Sequence, residues 1–224
     1  MADFTFTLAT EVLDFLNECL GELGVQSVTG SQLDATSGQS EEEIKISRDF
    51  HKIMKSALSR HAFRSITKTV NLVPTSSGSA IWTYQTTVPS DFLRLNELHP
   101  ASWFWSPSRP IHIDYEVANG VLYTHSNNVD LIYNYYPVTT GYDDNPAVTT
   151  AWNAYMQVLH PKLRDAVKIW FVHELVMPLR RDRQWKFEAY QQFLAVMNEA
   201  KSEDKAQGSV KYVPDGPLVE VRMG

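Results

Sequence analysis

The chain has one cysteine, no long apolar run and no surplus of basic residues, and each shortage removes a class of function. The lone thiol, Cys19, excludes an internal disulfide and a zinc site built from cysteines. It falls on the apolar stripe of a predicted helix, where a thiol packs as a small hydrophobe. No apolar stretch approaches the roughly 20 residues that span a bilayer, so no membrane segment is expected. The opening MADFTFTLATEVLDF has acidic residues and no basic flank, unlike a secretory signal, so the chain is expected to stay in the cytosol where it is made. Lys and Arg number 20 against 26 Asp and Glu, a formal net charge of −6. Sequence-independent binding to nucleic acid needs a basic face, which weighs against a nucleic-acid-binding module.

Catalytic patterns are equally scarce. Gly-x-Ser-x-Gly elbows, phosphate loops and Gly-x-Gly-x-x-Gly fingerprints are absent. The stretch His173-Glu174-Leu175-Val176-Met177 comes closest to a zinc-protease helix, but Met177 stands where the second histidine is needed. His51, His61, His99, His112, His125 and His160 are scattered, so a hydrolase would have to assemble its site from distant His and Asp residues. Asp143 and Asp144, beside Asn145-Pro146, read as turn formers. No catalytic residue, metal ligand or cofactor is expected, and the chain does not read as an enzyme.

Ordered structure is plentiful instead. Val12, Phe15, Leu16, Cys19, Leu20 and Leu23, with Leu8 before them, repeat at helical spacing, and Gly24 follows as a left-handed C-cap. Residues 26–40 form a polar connection. Ser40 and Glu43 make a capping box for a second helix with Ile46, Phe50, Ile53, Met54, Ala57 and Leu58 on one face. From residue 63 the period becomes two, predicting strands over 65–70, 81–86, 92–98, 111–117, 121–124 and 129–136. The segment WTYQTTVPSDFLRL (82–95) reads as strand, Pro-Ser-Asp turn and strand, and Asn119-Gly120 marks a hairpin. TSSGS (75–79) reads as a polar tip or loop. Helical period returns after a loop at 139–150. Tyr155, Leu159, Leu163, Ala166, Val167, Trp170, Phe171 and Leu175 line one face, Pro161 starts or kinks the helix and Pro178 ends it. Asp182 caps a last helix carrying Tyr190, Phe193, Leu194, Met197 and Ala200.

The order predicts an α+β fold: an antiparallel helical bundle from N- and C-terminal helices, an inserted antiparallel β region and an extended C-terminal arm. The divisions fall at 1–62, 63–138, 139–208 and 209–224. Two features exceed the needs of a core. Trp103-Phe104-Trp105 lies in a loop between Pro100 and Pro107, where it either folds back or fills a partner's pocket. The arm alternates apolar residues, Val210, Tyr212 and Val213, then Leu218, Val219 and Val221, a pattern suited to adding strands to a sheet edge. Both are the candidate partner-binding residues. Arg180, Arg181, Arg183 and Lys186 form the one basic cluster and read as a helix–helix turn or subunit contact ahead of a phosphate site.

In this order the pieces resemble the tail tubular protein A family, head-to-tail adaptors of short-tailed bacteriophages. The resemblance rests on LNECLGELG (16–24) running into Val25 and Val28, on the helix ending Leu58 to Phe63 and the strand to Pro74, on Trp82 to Leu95 with its Pro-Ser-Asp-Phe-Leu turn, and on Gly120-Val121-Leu122-Tyr123 through Tyr136-Pro137 ahead of the paired terminal helices. It covers the chain to about residue 208. It implies a virion structural protein of the phage neck, made in the host bacterial cytoplasm. Such a protein forms a homo-oligomeric ring, a dodecamer, that binds the portal protein on one side and the tail nozzle protein on the other. DNA passes through the lumen without specific binding, which suits the acidic balance of the chain. A connector or head-completion protein of a long-tailed phage is the alternative that shares this logic.

Overall fold

The computed structural model describes residues 6–35, 38–76, 81–101, 113–137 and 146–207. Among these the chain is mixed α+β, with six helices and two antiparallel sheets. Helices α1 (Thr10–Glu22), α2 (Gly30–Asp34) and α3 (Glu41–Leu58) precede seven strands, and α4 (Pro146–Val158), α5 (Pro161–Arg180) and α6 (Arg183–Gln207) follow them.

Helix ends form where the chemistry of their caps requires. After α1, Gly24 takes a φ of +62°. Its N–H bonds Gly21 O at 3.0 Å and the Val25 N–H bonds Leu20 O at 2.9 Å, which satisfies the carbonyls that a helix leaves open. At the start of α3, the Glu43 N–H donates to Ser40 Oγ (3.2 Å) and the Ser40 N–H to Glu43 Oε2 (2.7 Å). Asp182 Oδ1 accepts the Trp185 N–H at 2.9 Å and opens α6.

Helix α5 is the axis of the helical layer, packing against α1, α3 and α6. Its buried Leu163, Val167, Phe171 and Leu175 meet the buried stripe Val12, Phe15, Leu16, Cys19 and Leu20 of α1 and the stripe Ile46 to Leu58 of α3. Burial raises the Cys19 thiol pKa well above its ordinary value, leaving it an inert packing group. Trp152 of α4 joins the layers, with its ring in edge or tilted contact with Phe50, His51, Tyr136 and Tyr155 at 4.9–5.8 Å.

Strands β1 (Thr67–Leu72), β7 (Val129–Tyr135) and β4 (Phe92–Pro100) form one sheet in the order β1-β7-β4. The other runs β2 (Thr75–Ser76), β3 (Tyr84–Thr87), β6 (Val121–Thr124) and β5 (Tyr115–Ala118). Leu122 from the second sheet joins Leu98, Val129, Leu131 and Tyr133 from the first in a separate core. The β5–β6 hairpin turns at Asn119 (φ +52°) and Gly120 (φ +75°), with Ala118 opposite Val121.

The other face of β7 meets the end of α3. Asn134, fully buried, donates from Nδ2 to His61 O at 2.6 Å and Leu58 O at 3.4 Å. Its Oδ1 accepts from Asn96 Nδ2 at 2.7 Å, and Arg94 Nη1 donates to Ser59 O at 3.0 Å. Sheet side chains thus satisfy the terminal carbonyls of a helix.

Several sequence expectations need correction. Pro178 lies within α5 and does not end it, because a proline in the last turn forfeits only one hydrogen bond. The helix stops two residues later, where Arg181 adopts φ +55° and its N–H bonds Val176 O and Met177 O. Pro161 starts α5 and separates it from α4, which begins inside the expected 139–150 loop. The 26–40 connection contains α2, opened by a Thr29–Gln32 capping box. Gly30 sits there because a Cβ would come within 2.4 Å of Thr7 Cα. Leu8 is exposed, since it precedes α1 and is not on its stripe. Thr75–Ser76 forms a two-residue strand, and the strands flanking Pro89-Ser90-Asp91 enter different sheets.

Asn134→Leu strands two buried carbonyls and the Asn96 amide. It should lower unfolding stability by about 2–4 kcal/mol, read as a drop in the urea midpoint with the slope unchanged.

Candidate interaction surfaces

Trp103, Phe104 and Trp105, and Val210, Tyr212, Val213, Leu218, Val219 and Val221, lie outside the described residues. So does His112. The described histidines stand apart, each engaged locally. His51 Nδ1 meets Tyr136 Oη at 2.8 Å, His99 Nε2 meets Glu97 at 2.7 Å, His125 Nδ1 meets Thr83 Oγ1 at 3.0 Å and His160 faces Glu203 at 3.6 Å. Among the described residues no three of His, Cys, Asp and Glu converge on a point where a metal would bind. No helix among them is long and apolar enough to cross a membrane.

The basic cluster divides in two. Arg180 is structural: its Nε donates to Leu23 O at 2.8 Å and its Nη2 to Gly24 O, so a guanidinium from α5 closes the end of α1. Arg181 is the left-handed C-cap of α5. Arg183 and Lys186 instead face outward beside His173, Phe187 and Tyr190, lining a groove of about 470 Å³ between α5 and α6. Phe187 is 63% exposed at its rim.

Beneath the groove the rings are layered. His173 stacks on Trp170 with centroids 4.7 Å apart and planes 21° from parallel, and the Arg60 guanidinium lies over the Trp170 ring at 4.0 Å. Phe193 packs 4.7 Å from Trp170 with its ring tilted by 47°. Burial pushes the His173 pKa down, with Lys186 and Arg60 acting the same way against Glu174. The imidazole is therefore held neutral, as an aromatic plate and not a charge.

His173 and the basic cluster were legible in the sequence. Arg60 was not, because it follows the end of α3 and reaches Trp170 only through the packing of α3 against α5. Phe187 left one signal, an aromatic residue two after Trp185 and three before Tyr190 near the start of α6.

The first sheet offers a different surface. Strand order makes β1 and β4 its outer strands. Register shifts between Phe92 and Arg94 and between Leu95 and Glu97 break the regularity of β4. Strand β1 pairs with β7 without a shift from Thr67 to Leu72, and among the described residues nothing pairs with its outer edge.

His61 shares the fate of His173, its pKa lowered by burial and by Lys201. Groups held neutral in the fold but protonated freely after unfolding make stability rise with pH. Stability should be full above about pH 6.5 and fall as pH drops below it. Urea midpoints at pH 7.5 and 5.5 test this, and His173→Gln should shrink the difference. Comparison with known protein families and with curated proteins finds no match for the chain.

Proposed function

We propose that this chain is a virion structural protein, a head-to-tail adaptor whose mechanism is assembly and not catalysis. Copies would form a ring, a dodecamer, between a portal protein and a tail nozzle protein in the phage neck, with DNA passing through the lumen. In this reading α1, α3, α4, α5 and α6 make an antiparallel bundle that builds the ring wall, and the two sheets meet the nozzle or neighbouring copies. Residues 209–224 clasp the portal.

The observation that carries the reading is the order of parts and what the resembling residues do. The Leu-Gly turn of 16–24 is the cap that ends α1. The Pro-Ser-Asp-Phe-Leu turn carries the chain from one sheet to the other, with Asp91 O accepting the Tyr136 N–H at 2.8 Å. The stretch from Gly120 to Tyr136 supplies the central strand β7 and the ring against which Trp152 rests. The last two sets meet at Tyr136, where helices and sheets join and an adaptor needs rigidity. A ring needs one face of each copy to meet a different face of the next, and the exposed Phe187 groove is available for such a contact. A net charge of −6 favours a channel along which DNA slides.

The copy number of this chain per portal subunit in purified particles of its source virus tests the proposal. A ratio near one is expected, and absence from the particle would discard it. Truncation after Gly208 should leave a folded chain that no longer docks on the portal; retained docking would remove the arm from the mechanism. Phe187→Ser, at an exposed position, should change unfolding stability by less than about 0.5 kcal/mol while weakening association between copies, measured by sedimentation.

A further inference from the structure

We propose that copies of this chain meet head to tail, with the cationic α5–α6 groove of one seated on an acidic ridge along α1 of the next. The contact rests on the adaptor reading only for its closure into a ring.

The ridge is built by one side of a helix. Glu11, Asp14, Glu18 and Glu22 recur at helical spacing along α1. Gln157 donates to Glu11, Arg164 donates to Glu18 and Lys168 pairs with Glu22, each partner lying 146 positions further on. Helix α1 therefore runs abreast of residues 157–168, and Asp14 falls opposite the break between α4 and α5. Asp14 and Asp165 are exposed and enter no ion pair among the described residues. The side chains of Glu18 and Glu22 are 48% and 45% exposed, those of Arg164 and Lys168 only 29% and 22%. The cations thus lie beneath the carboxylates, and the surface presented is negative. Two exposed apolar side chains accompany it: Leu8, whose carbonyl accepts from Asn153, and Val158, which follows Gln157.

The groove is the complement. Among the described residues Arg60, Arg183 and Lys186 enter no ion pair. The nearby acids are engaged, Asp182 in the α6 cap and Glu174 with His173 at 3.2 Å. A positive surplus therefore stands on a chain whose net charge is −6. Phe187 and, seven residues along the same side of α6, Leu194 are exposed beside these cations. Each surface offers the charge the other lacks, and each has apolar side chains to cover.

The placement of the two surfaces favours contact between copies. Arg164 and Lys168 turn toward α1, whereas Trp170 and His173 turn toward Phe193 and Tyr190 of α6. At about 100° per residue these pairs sit on roughly opposite sides of α5. One copy cannot close its groove on its own ridge. Contact between copies joins unlike faces and leaves one of each free, so it propagates until a ring closes. The lengths agree as well: at about 1.5 Å per residue, Glu11 to Glu22 spans about 16 Å and Arg183 to Phe193 about 15 Å.

Disulfide trapping between full-length chains provides the test. One chain carries Gln191→Cys, between Phe187 and Leu194. The other carries Ala154→Cys or Gly21→Cys, near either end of the ridge, where a Cβ on Gly21 meets nothing within 4 Å. Cys19 is buried in every chain. On oxidation of an equal mixture, the mixed disulfide should form at least about tenfold faster than either same-site disulfide for one of the two ridge positions. Phe187→Ser in the first chain or Asp14→Lys in the second should each remove that preference. A statistical mixture, or no disulfide, would overturn the proposal by giving the groove to a partner other than this chain. An excess of one same-site product would overturn it by assigning that face to a two-fold contact. A preference that survives both substitutions would also overturn it. The outcome is independent of the particle. Preferred mixed disulfides in a chain absent from the virion would keep the contact and discard the adaptor, and a statistical mixture from a chain present once per portal subunit would do the reverse.

Discussion

The last turn of any α-helix leaves carbonyl oxygens without partners, and burying them is costly unless donors arrive from elsewhere. In this protein the end of α3 is buried against the first sheet, and the donors are the side chains of Asn134 and Arg94. Asn134 is itself fully buried, so its own acceptor must be filled, and Asn96 fills it. A helix end, an outer strand and a central strand are thereby tied to one amide group. A slip of β7 by one residue would place Tyr133 or Tyr135 against α3 and turn the apolar row away from the sheet-to-sheet core. Register, helix position and the separation of the two cores follow from satisfying those oxygens.

A second polar contact secures the same join from the other side of the sheet. Asp91 accepts from Lys68 Nζ at 2.6 Å and from Tyr133 Oη at 2.8 Å, which raises the tyrosine pKa further above a value already lifted by burial. Lys68 also lies 4.0 Å from the Tyr135 ring. Lys68 is half-exposed, so this cluster adds specificity of alignment more than raw stability.

Where local chemistry decides the outcome, the sequence was readable. The α3 capping box, the Gly24 cap, the Asn119-Gly120 hairpin and the apolar stripes of α1 and α3 each depend on residues within a few positions of one another. Where the outcome depends on distant packing, it was not. Pro178 reads as a stop, yet burial of Leu175 and Val176 carries α5 past it to Arg181. The 26–40 segment looks like a plain connection. It is ordered by Asn17, which bonds Val28 at both N–H and C=O, and by Asp34, which accepts the Phe6 and Thr7 amides. The α5–α6 groove was half legible: its cations are adjacent in sequence, whereas Arg60 and Trp170 are more than a hundred positions apart.

The placement of α5 also sets an order of events during synthesis. The stripes of α1 and α3, made first, find their partners on a helix that emerges only after residue 161. Until then the ribosome presents two amphipathic helices only partly covered, by contacts such as Phe6 on Phe50, whereas β1, β4 and β7 can join once residue 135 is out. Contacts of such wide sequence separation are slow to form and leave apolar surface open to aggregation meanwhile. The sheets are thus positioned to mature first and to serve as the platform on which the early and late helices later close.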